Sequence, residues 1–407
     1  MKNELKDPLQ LASGNLLKNR IAKAAMSENM SDAGFVPGKR FENLYSQWAR
    51  GEVGLLITGN VMIDKNHLGE PNNVVLETGF SKQKDLNAWA RAGAKQGGLI
   101  YMQLNHPGKQ SPKFLNPEPV APSAIGYTSK LSRLFNPPRE LREDEILEII
   151  ERFSVAAYIA KAAGFHGIQI HGAHGYLVSQ FLSPLHNTRS DRWGGRLENR
   201  MRFLLQIIDA IRAKVGSQFG IAVKLNSADF QKGGFTQVEA LEVIKNLDQL
   251  KLDFIEISGG SYEVPVMTGK VKDSSHRREA YFLEFAKQIR DSVQTPLMVT
   301  GGFRTVAVMR EALSSGVNII GLARPFCIYP DLAHQILTGE IQEISCDEKK
   351  SGVQFIDRTF PLEIIWYTDQ LHRMGKNKKP NPNATVYPAI LKMMMSMGFE
   401  GLKRVRG

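Results

Sequence analysis

A short apolar run, Gly167-Ile168-Gln169-Ile170-His171, ends in a histidine, and a second histidine, His174, and a tyrosine, Tyr176, follow on a loop punctuated by glycines. Two imidazoles and a phenol at one strand end can hold a carbonyl oxygen by hydrogen bonds and deliver a proton beside it. The phenol has an unperturbed pKa of ~10, so it keeps its proton at neutral pH until a carbanion develops alongside. A histidine pair with this spacing also suits a metal ion or a purely structural role. A metal would need a third ligand, and no nearby Asp, Glu or Cys has obvious ligand spacing.

Residues of this kind have to be held by elements, and the chain supplies eight short apolar runs, each ending in small or polar residues. They are Asn19–Ala24, Val53–Gly59, Gly98–Asn105, Gly167–Gly172, Gly220–Ser227, Phe254–Gly260, Pro296–Gly302 and Asn318–Arg324. Between most of them the apolar residues recur at helical spacing. In Glu143–Ala163, Ile146, Ile149, Ile150, Phe153, Ala157 and Ala160 share one face; in Gln237–Leu250, Ala240, Val243, Ile244 and Leu247 do. Thr236 stands at the N-cap of the second, and Glu239 completes a capping box. Eight such β–α units in succession predict an α/β fold of the TIM (β/α)8 barrel type. An open doubly wound sheet would typically carry an early G-x-G-x-x-G, which is missing. Two long insertions, Pro107–Arg142 and His186–Arg200, follow the third and fourth strands at the barrel's C-terminal face, where active-site loops lie.

The strand ends carry further chemistry. The third ends Gln103-Leu104-Asn105-His106-Pro107-Gly108, and the Gln103 amide offers both a donor and an acceptor. The fifth carries Lys224, either a positive charge facing a ligand or half of an ion pair filling the barrel interior. The seventh and eighth end in Thr300-Gly301-Gly302-Phe303 and Gly321-Leu322-Ala323-Arg324. Backbone N–H groups after these two strands form the usual barrel phosphate cradle, and Arg324 adds charge, so a phosphate-bearing ligand is expected.

With 42% hydrophobic and 23% charged residues the chain has material for a large core. Its net charge of +11 is concentrated at the end: eight Lys or Arg against Glu400 alone between Arg373 and Gly407 give +7. The body is therefore nearly neutral and lacks the basic face of a nucleic-acid binder. Two cysteines, Cys327 and Cys346, are too few for an iron–sulfur cluster and form no C-x-x-C pair, so no metal is expected. Residues Met1–Asn19 lack a signal-peptide run, and no segment approaches the ~20 apolar residues of a membrane span. A cytoplasmic location is expected, and a homo-oligomer is compatible with the sequence.

The stretch from Gly167 to Phe203, including Asp191-Arg-Trp-Gly-Gly-Arg-Leu-Glu-Asn-Arg200, resembles the old yellow enzyme family of flavin-dependent ene-reductases. The resemblance runs from about Leu16 to Asp331. It implies FMN as cofactor, NADH or NADPH as reductant, and a small-molecule substrate with an activated C=C bond. Ala24, Ala25, Met26 and Ser27 match the segment that runs its backbone along the flavin ring, with Ser27 where Thr or Cys is common. Gly59 matches a small residue close to the ring, and Gln103, within the family's Gln-Leu-x-His-x-Gly, matches the partner of the pyrimidine edge. Lys224 stands where many members have an Arg facing flavin N1 and O2. Gly301, Gly302, Ala323 and Arg324 match the phosphate cradle. His171 and His174 would hold the substrate oxygen, and Tyr176 matches the proton donor. Alternatives are an NAD(P)H dehydrogenase with a quinone, nitro or xenobiotic acceptor, and a non-catalytic flavin-binding regulator. Larger relatives add a cysteine cluster and a dinucleotide-binding half, which this chain lacks, so electrons are expected to reach FMN directly from the bound reductant.

After Cys346 the resemblance thins, which suggests a barrel over 1–345 and a helical, basic extension over 346–407. Phe355–Met374 predicts a helix packed on the barrel, followed by a Lys/Asn/Pro linker, Gly375–Asn383, and a methionine-rich segment, Tyr387–Phe399. The segment suits either a docked cap or a contact with a partner subunit, an acyl chain or an anionic membrane surface.

Overall fold

The computed structural model describes residues 4–128, 130–261, 263–264, 282–346, 348–359 and 361–396. Eight parallel strands close into a barrel: β1 (Ile21–Lys23), β2 (Leu55–Ile57), β3 (Leu99–Asn105), β4 (Gly167–Gly172), β5 (Gly220–Asn226), β6 (Phe254–Ser258), β7 (Leu297–Thr300) and β8 (Ile319–Leu322). β8 pairs with β1 to complete the ring. Each strand lies within its predicted run. The ends trimmed from several of those runs, such as Gly301, Gly302, Ala323 and Arg324, follow the strands at the expected site.

Alternation along the strands sorts the side chains. Ile100, Met102 and Leu104 of β3 face the outer core, whereas Tyr101 joins an interior cluster with Ala22, Leu55, Ala222, Phe254 and Met298. A hairpin of Leu9–Gln10 and Leu16–Leu17 precedes β1, and Leu11 and Leu17 pack into the same interior cluster. Further along the strands the inward positions turn polar: Gln103 after Tyr101, Lys224 after Ala222, and Glu256 after Phe254. The barrel is thus apolar inside at one end and charged toward the end where chemistry is expected. Period-two alternation makes that switch possible without disturbing the outer packing.

Helices α1 (Lys39–Arg50), α2 (Gln83–Gly93), α3 (Glu143–Ala162), α4 (Arg202–Val215), α5 (Gln237–Asp248), α6 (Leu283–Ile289), α7 (Val306–Ser314) and α8 (Leu332–Thr338) intervene between or follow the strands. At α5 the capping box forms as expected. Thr236 Oγ1 accepts from Glu239 N at 3.2 Å, and Glu239 Oε2 accepts from Thr236 N at 3.0 Å. The two insertions are tied together by Arg189, whose Nη1 donates to Pro122 O (2.9 Å) and Leu141 O (2.7 Å).

The expected single helix over Phe355–Met374 is instead two, Gln354–Thr359 and α9 (Leu362–Gly375). Pro361, which cannot donate a backbone N–H inside a helix, stands immediately before α9. α9 docks on α1: Asn43 Nδ2 donates to Gly375 O (2.9 Å) and Gln47 Nε2 to Met374 O (2.8 Å). α10 (Tyr387–Ser396) follows, tied back by Trp366 Nε1 donating to Ala384 O at 2.8 Å. The last three residues of the expected methionine-rich segment, Met397 to Phe399, lie outside the described residues. No helix among the described residues is long and apolar enough to cross a membrane.

Candidate active site

At the end of β4 the three rings of the expected site come together. The His171 ring lies 5.0 Å from that of His174 and 4.8 Å from that of Tyr176, both edge-on. The loop that turns them inward holds His174 in the left-handed region at φ 61°, unusual for a residue with a side chain. Its backbone is captured on both sides: His174 N donates to Asn226 Oδ1 (3.1 Å), and His174 O accepts from Gln110 Nε2 (2.9 Å). Such a conformation costs of order 1–3 kcal/mol and persists only where the surroundings impose it.

A backbone hydrogen bond assigns the His171 ring proton. His171 Nδ1 accepts from Ala173 N at 3.3 Å, which leaves the proton of the neutral ring on Nε2 as a donor. His174 Nε2 lies 2.8 Å from Ser258 Oγ; a hydroxyl donating there leaves its proton on Nδ1. Burial pushes both imidazoles well below their ordinary pKa, and the Lys224 charge pushes the same way. Both rings are therefore neutral donors at physiological pH.

Strand register brings charge beside them. β4 places His171 opposite Lys224 on β5, and β5 places Lys224 opposite Glu256 on β6. Lys224 Nζ pairs with Glu256 Oε1 at 3.0 Å; Glu256 Oε2 accepts from Gln169 Nε2 (2.7 Å), and Gln169 Oε1 from Gln103 Nε2 (2.7 Å). Lys224 is thus half of a buried ion pair and also lines a cavity. Gln103 spends one amide proton on Gln169 and keeps its other donor in reserve.

The cavity, about 290 Å3, is bordered by Ala25, Met26, Ser27, His174, Lys224, Gly301, Gly302, Ala323 and Arg324 among the expected residues. Ala24, Gly59, Gln103, His171 and Tyr176 are not in its wall. Ala24 N is spent in the barrel ladder on Leu322 O (2.8 Å). Gly59 backs the wall segment so closely that a Cβ there would lie 2.3 Å from Met26 O and 2.2 Å from Glu28 Oε2. A side chain at this position would collide with the wall segment.

The residues present suit FMN. Gly301 and Gly302 have φ of +133° and +82°, which turns the backbone after β7 in a way that side-chain-bearing residues rarely adopt. Beside them Thr300 Oγ1 is buried with no hydrogen-bond partner among the described residues, and Arg324 supplies the cation. An unsatisfied hydroxyl, a glycine turn and a guanidinium on one wall match the needs of a phosphate-bearing ligand.

Several wall residues escaped sequence reasoning: Glu70, Ser258, Phe282, Phe303, Arg304, and from α9 Glu363, Ile364, Tyr367, Thr368 and Leu371. Glu256 had a readable signal, a carboxylate in the middle of the apolar run Phe254-Ile-Glu-Ile-Ser. The α9 residues had none. A separate cluster, Asp64, His67 and His106, has metal-ligand types within 4.8 Å of one another. His106 Nδ1 accepts from Gly108 N at 3.1 Å, which puts the neutral ring's proton on Nε2. Asp64 is also taken by Arg152 at 3.0 Å. Asp64 Oδ2 is thus shared between Arg152 and His67 Nδ1, 2.9 Å away, while His106 packs against the His67 ring.

The description "NADH:flavin oxidoreductase / NADH oxidase family" matches residues 4–343 of the chain. The NADH-dependent flavin oxidoreductase nadA of Aspergillus parasiticus is 40% identical over 340 residues, covering 79% of this chain and 76% of that protein. An NADH oxidase of Thermoanaerobacter brockii is 32% identical over 339 residues, 81% of this chain and 50% of that one. Among solved structures, the old yellow enzyme homologue from Zymomonas mobilis superposes with a TM-score of 0.71 at 26% identity, covering 90% of this chain and 99% of that one. The barrel, the wall that suits FMN and these matches lead to one assignment: the chain belongs to the NADH:flavin oxidoreductase / NADH oxidase family of old yellow enzyme homologues, and is an FMN-dependent oxidoreductase reduced by NAD(P)H.

Proposed function

We propose that the enzyme reduces the activated C=C bond of α,β-unsaturated carbonyl compounds. Bound FMN supplies a two-electron carrier that takes hydride from NAD(P)H and yields it to the substrate β-carbon. The observation that carries this reading is the grouping of His171, His174 and Tyr176 at one strand end, with both imidazoles neutral.

His171 Nε2–H and His174 Nδ1–H donate to the substrate oxygen and draw charge toward it as hydride arrives. Tyr176 then gives its proton to the α-carbon. Lys224 stabilises negative charge on the reduced cofactor, and Gln103 pairs with the pyrimidine edge. Ala25, Met26 and Ser27 lie along the ring, with Ala24 and Gly59 fixing that segment from behind. Gly301, Gly302, Ala323 and Arg324 hold the phosphate. The residues from 346 onward form a helical extension to a barrel ending near 345. The substrate is a small molecule, and the cytoplasm suits a chain whose two cysteines form no disulfide.

The test is anaerobic turnover of the purified, FMN-loaded protein. NADH or NADPH should bleach the flavin, and a cyclic or linear enone should restore the colour rapidly. Quinones or nitroaromatics reoxidising it far faster than any enone would replace this reading with that of a quinone or nitro reductase. Failure of both nicotinamides to bleach it would point to a flavin-binding regulator.

A further inference from the structure

We propose that Glu70 is a positioning residue that lowers the reduction potential of the bound FMN through Ser27. This rests on the reading of Ser27 as a residue along the flavin ring.

Ser27 and Glu70 both border the cavity, and the Ser27 hydroxyl donates to Glu70 Oε2. The loop that carries Glu70 is firmly anchored. Asn73 Oδ1 accepts from Gly69 N (3.1 Å) and Glu70 N (2.7 Å), and Leu68 O accepts from Ser111 Oγ (2.7 Å). No Lys, Arg or His forms an ion pair with Glu70 among the described residues. Its side chain is held by hydrogen bonds from Ser27 and Asn73, with the Glu28 carboxylate nearby. The other charged groups bordering the cavity are Lys224, Arg304, Arg324 and Glu363, with His174, Cys327 and Tyr367 as titratable neighbours.

Two consequences act in one direction. A hydroxyl has a single proton, and here it is committed to the carboxylate, so Ser27 presents only lone pairs to the flavin. The carboxylate also places a negative charge behind that oxygen, with no ion-pair partner among the described residues. Reduction adds electrons to the ring, and both features make this less favourable than a hydroxyl free to donate.

Burial, and then the Glu28 charge, raise the Glu70 carboxyl above its ordinary range, outweighing the Ser27 and Asn73 hydrogen bonds. Protonation as the pH falls removes the charge and releases the serine proton.

The experiment is dye-coupled potentiometry of FMN-loaded wild type, Glu70→Gln, Ser27→Ala and the double variant. Glu70→Gln should raise the potential at pH 8 by about a tenfold change in the reduction equilibrium, roughly 30 mV for a two-electron couple. In the Ser27→Ala background the same change should yield less than half that shift. In wild type, but not in Ser27→Ala, lowering the pH should add an upward departure from the ordinary flavin slope. That pH series tests the idea even where Glu70→Gln folds poorly. An unchanged potential in Glu70→Gln, an equal shift without Ser27, or identical pH slopes would each overturn the proposal. Loss of FMN binding by wild type would instead overturn the reading of the site itself.

Discussion

Arg324 Nη1 and Glu363 Oε2 lie 3.0 Å apart, joining the end of β8 to α9 across the cavity wall. Arg324 falls within the residues matched by the family and Glu363 beyond them. One edge of a five-donor guanidinium is thus fixed by a carboxylate from the C-terminal helix, while the other N–H groups have no partner among the described residues. Glu363 orients the fork and leaves donors for a phosphate.

Glu363→Ala should therefore weaken FMN more than riboflavin, which lacks the phosphate. The pair is part-exposed, so the differential is about 0.5–1 kcal/mol, two- to fivefold in Kd. Arg324→Ala should cost about 1.5–3 kcal/mol against FMN and little against riboflavin. Flavin fluorescence quenching measures both; equal losses for the two ligands would mean that Glu363 only shapes the wall.

The histidine pair has a separate readout. His171→Ala combined with His174→Ala should leave FMN bound and weaken phenols, whose oxygen mimics an enolate. Two lost donors to a developing enolate should cost about 3–6 kcal/mol of transition-state stabilisation. Titration with a phenol, followed by its long-wavelength absorbance on the flavin, gives the affinity directly. Unchanged affinity would show that the oxygen is held elsewhere.

Much of this site was legible because it is local. A strand-end histidine, a capping box such as Thr236–Glu239, and glycines after two strands are patterns within a few residues of one chain segment. What the sequence left open were pairings between segments. Lys224 read equally well as a ligand contact or an ion-pair member, because which strand faces it, and in which register, is set by barrel closure. α9 showed the periodicity of a docked helix, but amphipathicity says that a face is buried and not against what. Glu70 sits in a loop without periodicity, so nothing marked it as a wall residue.

The Lys224–Glu256 pair, with side chains 5% and 0% exposed, should dominate local stability. Glu256→Leu leaves a buried ammonium without its counter-charge and should destabilise the protein by about 3–5 kcal/mol. Lys224→Leu with Glu256→Leu should lose clearly less, since no charge is stranded. Urea midpoints of the single and double variants decide it; additive losses would contradict a coupled pair.

Stability should also climb in mild alkali. Burial pushes the Lys23 and Lys109 ammonium groups down to about 8, against ~10.4 in an unfolded chain. Between those values the unfolded chain binds more protons, so stability rises with pH, by at most about 1.4 kcal/mol per pH unit for each lysine. Above pH ~10 the sign reverses, because burial raises the Tyr45 and Tyr101 phenols and the folded state then holds the extra protons. Lys109→Met should flatten the rise between pH 8 and 10 in chemical denaturation. An unaltered slope would show that Lys109 is not charged differently in the two states.

Tyr176 allows hydride and proton transfer to be separated. Tyr176→Phe removes only the hydroxyl from a ring that is 7% exposed and packed edge-on against His171, so the local packing should survive. Flavin reduction by NAD(P)H requires no proton from this residue and should keep nearly the parent rate. Reoxidation by an enone should slow by roughly 10²–10⁴-fold, the span expected for a lost general acid. Quinones, which need no carbon protonation, should be far less affected. Stopped-flow measurement of the two half-reactions separates these steps. Enone reoxidation at the parent rate would leave the flavin site intact and assign the proton to water or another group.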